Sequence, residues 1–231
     1  MTLMIHVLDL MEPEETVGNL WHDMTTRWGT PSGEAAVRLE EVRPSVAALY
    51  RALGGAAGTE IVPAPLATSG HRPDRLRRIG TPREKLHVAD FDGDRLRLPP
   101  VIDIFQTQAL NRACYLWLGA LAALVEVPAR QDDPLAADRA EIAALAQAAD
   151  RAYAACPGLR EAYAAMCHRL VTIRRRTGLP RCEAGVERLI QDQLVGRSGD
   201  APCLDCPAPR GYRTYAPVPI WLRLRQGGRP G

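Results

Sequence analysis

Two cysteines, Cys203 and Cys206, are spaced as a metal-binding or redox pair. They form the sequence C-L-D-C, and two thiolates at this spacing can share one zinc ion or close a reversible disulfide. A complete zinc site needs two more ligands, and the nearest candidates, Cys167, His168 and Cys182, follow no regular ligand spacing. The pattern therefore favours reduced thiols in a loop, with a structural metal and a redox pair as alternatives.

The motifs of common catalytic and phosphate-binding sites are absent from the sequence. It contains no G-x-S-x-G, G-x-x-x-x-G-K-[ST], H-E-x-x-H or G-x-G-x-x-G. We therefore predict that the chain is not an enzyme and carries no cofactor. An active site assembled from residues distant in sequence stays an alternative, which a polar pocket with displaced pKa values would reveal.

Two groups of arginines could bind acidic partners. The denser group is a basic turn made of His71, Arg72, Arg75, Arg77 and Arg78. It is either a docking patch for an acidic protein surface or simply an exposed turn. The second group, Arg174–Arg176, ends a helical pattern, where cations favour the negative helix end, so we expect a solvated cap. Because the net charge is only +2, we predict no nucleic-acid partner.

Polar residues flank the start of the most apolar helical pattern, in LPPVIDIFQTQALNRACYLW. Asp103 or Thr107 could cap this helix, and Asn111 and Arg112 could bond a neighbouring loop. The alternative is a docking surface for a partner protein. Asp103, Asn111 and Arg112 are therefore candidate interface residues, together with Arg75, Arg77 and Arg78.

Helical patterns must position most of these residues. Apolar residues recur at helical spacing after Pro13, between Val42 and Leu53, and from about Gln106 to Leu194 with breaks at prolines and glycines. The run from Ala113 to Val125 has no charged side chain. It is too short to cross a bilayer, which takes about 20 apolar residues, so we expect a central buried helix and no membrane span.

Between the second and third helical patterns, apolar and polar residues alternate and no longer recur at helical spacing. KLHVADFDGDRLRLPP alternates apolar and polar residues on either side of Asp92 and Gly93, which is typical of a β-hairpin. TEIVPAP is at most a short edge strand because of its prolines. The Pro-rich stretch from Ala201 onward is predicted to be extended.

The predicted fold class is therefore mainly α. We expect a helical domain over residues 1–200 with a small β-hairpin at about residues 85–98, followed by an extended Pro-rich tail or linker over residues 201–231. The sequence MTLMIHVLDLMEPEE has no basic region or cleavage site of a secretory signal, so we expect a cytoplasmic protein with reduced thiols.

Several stretches resemble the N-terminal region of the NorD and CbbO family, the accessory proteins of MoxR-type AAA+ ATPases. They are LMEPEETVGNLWHDM, VRPSVAALYRALGG, LHVADFDGDRLRLPPVIDIF, ALNRACYLWLGALAAL and GYRTYAPVPIWLR. LPPVIDIF followed by ALNRACYLWL is the most specific part. Gln106 stands where family members often have a proline. The resemblance covers residues from Met11 to about Trp221.

The resemblance also implies which part of the family's function this chain has. Family members continue into a C-terminal von Willebrand factor A domain with a D-x-S-x-S metal site, a motif that this sequence lacks. The chain is therefore expected to be an excised domain or a short relative. The resemblance implies a non-catalytic adaptor that helps an AAA+ ring to activate a client enzyme.

Two clients are compatible with the resemblance. Nitric oxide reductase, a denitrification enzyme, is the client of NorD-like proteins, which are implied to act in insertion of its non-haem iron. Rubisco is the client of CbbO-like proteins. We expect the NorD-like role, with the CbbO-like role as one alternative and a small metal-binding or redox protein built on Cys203 and Cys206 as another.

Overall fold

The computed structural model describes residues 33–68, 85–174, 178–197 and 204–225. These residues form a mainly α fold, as predicted, and several small sheets in place of a single hairpin. The helix predicted to follow Pro13 and the basic turn of His71–Arg78 lie outside the described residues.

Five α-helices are present in the described part of the chain. They are α1 (Leu39–Ala52), α2 (Gln108–Leu124), α3 (Pro134–Ala155), α4 (Arg160–Ile173) and α5 (Arg181–Leu194), with a 3₁₀ turn at Pro157–Leu159 between α3 and α4. Eight short strands accompany them: β1 (Val37–Arg38), β2 (Glu60–Pro63), β3 (Leu66–Thr68), β4 (Lys85–His87), β5 (Asp90–Phe91), β6 (Arg95–Leu98), β7 (Val101–Ile102) and β8 (Arg223–Leu224).

Helix α2 is the central helix, as its apolar sequence predicts. Thr107 is its N-cap and accepts a hydrogen bond from Leu110 N at 3.2 Å. The helix packs against α1, α3 and α4. Gly119 allows α1 to come close, because a Cβ at this position would lie 2.7 Å from Val46 Cγ1. Each helix within the described ranges is too short or too polar to span a bilayer.

The ends of helices α1 and α3 carry residues that stabilise helix termini. Helix α1 carries Glu40 and Glu41 in its first turn, and Gly54 follows it with a positive φ of 93°. Asp133 caps α3 by accepting hydrogen bonds from Leu135 N at 3.0 Å and Ala136 N at 2.9 Å.

The predicted hairpin is present but shorter than expected. Strands β5 and β6 pair antiparallel around Gly93, which has a φ of 95°. The strand at Lys85–His87 was expected to belong to this hairpin, but it pairs antiparallel with β3 in a separate sheet. His87 Nδ1 lies 2.7 Å from Ala64 O, a contact that holds β4 beside the chain that leads into β3. The alternation of apolar and polar residues within a strand does not indicate whether that strand pairs with β3 or with the strand after Gly93.

The largest sheet joins distant parts of the chain in the order β2-β6-β5-β8. Strand β2 pairs parallel with β6 and lies at one edge, in agreement with the edge strand expected for TEIVPAP. Strand β8 pairs parallel with β5 at the other edge. A two-residue pairing of β1 with β7 completes the strands.

Residues 204–225, which we call the C-terminal strap, run across the helices to reach β8. Most of the strap has no regular secondary structure, yet all residues from Tyr215 to Leu222 are buried. Tyr215, Val218, Ile220, Trp221 and Leu222 pack in the same core cluster as α2. The division into a domain over residues 1–200 and a tail over residues 201–231 stays a prediction.

Candidate functional site

Charged side chains of the helices hold the strap in place. Asp133 Oδ2 accepts a hydrogen bond from Ala208 N at 2.7 Å, while its other oxygen caps α3. Arg139 donates to Leu204 O at 2.7 Å and to Asp205 Oδ1 at 2.8 Å. These contacts satisfy backbone groups of the strap that no β-ladder satisfies.

The densest of these contacts form the strap junction, the cluster of Asp138, Glu141, Tyr212, Thr214, Tyr215 and Arg223. Asp138 and Glu141 lie one helical turn apart on α3 and face the strap. Asp138 Oδ2 accepts from Tyr212 Oη at 2.6 Å and from Tyr215 N at 3.3 Å. Its Oδ1 accepts from Thr214 Oγ1 at 2.7 Å, so both oxygens are engaged.

Glu141 joins the strap to the edge of the largest sheet. Its Oε1 accepts from Leu224 N at 2.6 Å, and its Oε2 accepts from Tyr215 Oη at 2.6 Å and from Arg223 Nη1 at 2.8 Å. Arg223 also donates to Tyr215 O and lies over the Tyr215 ring, 3.6 Å from its centroid. The carboxylate therefore closes the open edge of β8 at Leu224.

Burial shifts the proton affinities of the junction. Desolvation raises the pKa of Asp138, although the hydrogen bonds from Tyr212 and Thr214 and the charge of Arg223 act in the opposite direction. Desolvation also raises the pKa values of Tyr212 and Tyr215 well above the usual range. Shifted carboxyl and phenol groups beside a groove are candidates for acid–base chemistry.

The geometry of the junction argues for a structural tie instead. A groove with a volume of about 200 Å³ runs past Asp138, Glu141 and Leu224. All four carboxylate oxygens accept hydrogen bonds from the protein, and both tyrosine hydroxyls donate to carboxylates. A general base needs an acceptor oxygen that can reach the substrate. The oxygens of Asp138 and Glu141 instead accept hydrogen bonds that hold the strap.

Arg174 contradicts the expected solvated cap. It follows α4 directly, but its side chain is fully buried. It forms an ion pair with Glu187 at 2.8 Å and donates to Pro217 O at 3.0 Å and Ala216 O at 2.8 Å. The strap passes over this end of α4 and covers it, which local sequence could not indicate. Arg175 and Arg176 lie outside the described residues.

The predicted interface residues at the start of α2 have different environments. Asn111 is fully buried and fixes the chain before α2: its Oδ1 accepts from Ile104 N and Phe105 N, and its Nδ2 donates to Ala35 O and Phe105 O. Asp103 is 8% exposed and Arg112 is exposed. Asn111 bonds to the two residues that follow Asp103, and a role of the three residues in docking stays a prediction.

The cysteine pair is described only in part. Cys206 is exposed on the strap, and Cys203 lies outside the described residues. Among the residues with described positions, no group of three or more His, Cys, Asp or Glu side chains could hold a metal ion. Two other thiols, Cys114 and Cys167, are buried in helices, and burial raises the pKa of Cys167 to about 11. Arg75, Arg77 and Arg78 also lie outside the described residues.

Sequence reasoning did not single out the junction residues. The segment GYRTYAPVPIWLR contributes Tyr212, Thr214, Tyr215 and Arg223, and the sequence predicted for it only an extended Pro-rich tail and a family resemblance. Its alternation of aromatic and apolar residues with prolines is a usable signal. Such a segment cannot form a helix, yet it is too apolar for a solvated linker.

Sequence comparison finds relatives along nearly the whole chain. The chain is 34% identical over 228 residues to Protein NorD of Brucella suis biovar 1 (strain 1330), a match that covers 94% of this chain and 36% of the relative. It is 35% identical over 218 residues to an uncharacterised protein of Pseudomonas aeruginosa, with 92% and 32% covered. Protein NorD of Stutzerimonas stutzeri is 35% identical over 114 residues, or 49% of this chain and 19% of the relative.

The chain thus spans about a third of the length of the first two of these relatives. No family model matches the sequence, and no solved structure is similar to it. The resemblance predicted from the sequence is confirmed on its NorD side: over 94% of its residues, this chain corresponds to the N-terminal region of the NorD proteins.

Proposed function

We propose that this chain is an accessory protein for the activation of nitric oxide reductase, and that it works as an adaptor for a MoxR-type AAA+ ATPase. The similarity to NorD proteins along 94% of the chain carries the proposal. In this account the ATPase hydrolyses ATP and the chain connects it to the reductase in the cytoplasm. The client step is insertion of the non-haem iron.

The engaged carboxylates of the strap junction support a binding role over a catalytic one. Asp138 and Glu141 are the buried carboxylates beside the groove, and protein donors occupy all their oxygens. Such a cluster rigidifies a domain and fixes its surface. A rigid surface binds a partner with a smaller loss of conformational entropy.

Arg112 is the docking residue that we propose at the start of α2. It is exposed, whereas the side-chain amide of the neighbouring Asn111 already makes four hydrogen bonds to the backbone. Arg75, Arg77 and Arg78 are proposed as a second contact region because their charges suit an acidic partner surface.

Sedimentation of the purified chain with the MoxR-type ATPase of the same organism tests the adaptor role. We expect a faster-sedimenting complex with a Kd in the micromolar range or below, and no complex with an AAA+ ATPase from another subfamily. Failure to form a complex with the MoxR-type ATPase at micromolar concentrations would contradict the adaptor role.

The client is tested separately in cells. Removal of the corresponding gene should leave nitric oxide reductase inactive and depleted of non-haem iron, with its haem content intact. A reductase with full iron content would contradict the proposed client, and a loss of Rubisco activity in its place would point to the CbbO-like role.

A further inference from the structure

The groove beside the strap junction, which we call the α3 groove, has small side chains on its floor. The floor is α3 at Ala137 and Ala140, one wall is the chain of residues 127–131, and the other wall is Leu224 of β8. Its volume is about 200 Å³. The two alanines are half-buried, and a larger side chain at either position would project into this volume.

Both walls of the α3 groove are anchored to other parts of the fold. Glu126, which precedes the first wall, forms an ion pair with Arg151 at 2.5 Å, and Asp133, which follows this wall, caps α3. In the second wall, Leu224 N donates to Glu141 Oε1 at 2.6 Å. The groove is therefore formed before a partner binds, which reduces the conformational entropy lost on binding.

The size of the α3 groove suits one large apolar side chain. It is larger than a cavity of about 150 Å³, which can hold a benzene molecule, and smaller than the roughly 300–1,000 Å³ of small-molecule pockets. Val127, Pro128 and Leu224 are apolar residues of its walls, and Val127 is 38% exposed. Partner proteins commonly place an anchoring side chain in a pocket of this kind.

The charge that the α3 groove offers to a partner is positive. Asp138 and Glu141 also line it, but their oxygens already accept hydrogen bonds from the strap. Arg130 lines the groove too and is exposed to solvent. Glu126 and Asp132, the acidic residues beside the first wall, are not among the lining residues. Because a guanidinium forms charge-assisted hydrogen bonds with carboxylates, a partner with an acidic residue near its apolar anchor is complementary.

We propose that the α3 groove binds an acidic segment of the MoxR-type ATPase, which places one large apolar side chain in the groove and a carboxylate beside Arg130. The inference rests on the proposed adaptor function. It adds an apolar anchor site to the charged contact proposed at Arg112. The groove sets the position of the partner segment through shape, and Arg130 selects its charge.

The first test fills the groove and measures binding to the MoxR-type ATPase. Ala140→Leu places a larger apolar side chain on the floor, so we expect the Kd to rise about tenfold or more. The control is Ala164→Leu, the same change at an exposed position of α4, which should alter the Kd less than about twofold. Equal affinities of Ala140→Leu and wild type would overturn the inference and leave the adaptor function intact. Absence of any complex with the wild-type chain would overturn both.

The second test reverses the charge at the rim of the groove. Arg130→Glu should raise the Kd for the same ATPase about tenfold or more, because it places a carboxylate opposite the partner's carboxylate. Arg197→Glu is the matched control, since Arg197 is exposed beyond α5 and does not line the groove. Equal affinities of the two variants would overturn the acidic character of the proposed partner segment.

Thermal unfolding and sedimentation of the isolated chain distinguish the other possible occupants. In a vacant groove, the leucine of Ala140→Leu gains contacts with the apolar walls, so the thermal midpoint should stay unchanged or rise. A lower midpoint would show that another segment of the chain fills the groove. A wild-type dimer that Ala140→Leu dissociates would show that a second copy fills it. Either result would overturn the inference.

Discussion

The strap junction and the start of α2 both contain buried carboxylates, but only those of the junction accept hydrogen bonds from the described residues. Asp138 and Glu141 accept hydrogen bonds on every oxygen, from hydroxyl, amide and guanidinium donors. Asp103 accepts none from the described residues. The difference separates carboxylates that tie distant segments together from one that ties none. Asp138 and Glu141 fix the strap on α3 through hydrogen bonds, whereas Asp103 makes no such bond to the described residues.

Arg174→Met should give the largest effect, because it removes the most buried cation that holds the strap. Glu187 would keep a buried charge, and Ala216 O and Pro217 O would lose their donor. We expect the free energy of unfolding to fall by about 3–5 kcal/mol in urea denaturation. Arg43→Met is the control, because Arg43 pairs with Glu40 on the exposed face of α1 and should change stability by less than about 1 kcal/mol. Similar values for the two variants would contradict a structural role of Arg174.

Glu141→Gln tests the acceptor that closes the edge of β8. The amide group has one acceptor oxygen, so Leu224 N and the Tyr215–Arg223 pair cannot both be satisfied. We expect a loss of about 1.5–3 kcal/mol and faster hydrogen exchange at Leu224. Glu126→Gln changes a carboxylate that is 80% exposed and should be nearly neutral. Unchanged exchange at Leu224 would show that Glu141 does not protect this edge.

The pH dependence of stability gives a smaller effect that isolates Asp138. Desolvation raises its pKa above 3.8, so the folded chain binds this proton more tightly than the unfolded chain does. Its contribution to stability is therefore greatest below pH 3.8 and is lost as the pH rises through the raised pKa. The pKa of Asp133 is lowered, mainly by the hydrogen bond from Ala208 N, and has the opposite effect: its contribution is lost as the pH falls.

Comparison with Asp138→Asn separates this contribution from the others. The difference in stability between wild type and Asp138→Asn should become less favourable to wild type as the pH rises through the window above 3.8. Urea denaturation at several pH values measures it. A difference that grows in favour of wild type with rising pH would mean that hydrogen bonds, and not burial, dominate at Asp138.

Much of the fold was predictable because its signals are local. The apolar faces and ends of α1 to α5 are encoded within each segment, as is the turn at Gly93. The strap was not predictable, because its contacts join residues such as Asp138 and Thr214, which are 76 positions apart. No periodicity connects such pairs. The prediction of the partner strand of β4 was wrong for the same reason, since Leu66 and His87 pair across a long connection.

Only part of the candidate site could be predicted from the sequence. The polar residues at the start of α2 attracted notice because they interrupt apolar sequence. Their environments, which separate Asn111 from Asp103, depend on the turn at residues 33–36. Arg174 was misjudged because the strap covers the end of α4, and a helix end alone is normally solvated.

The unfolding free energies of Glu141→Gln and Asp103→Asn, measured side by side at pH 7, test the contrast between the two regions most directly. Both variants replace a buried carboxylate by an amide of nearly the same shape. The predicted result has opposite directions: Glu141→Gln lowers the free energy of unfolding, and Asp103→Asn leaves it unchanged or raises it. If Asp103→Asn lowers it as much as Glu141→Gln does, Asp103 is held by the fold and the contrast is wrong.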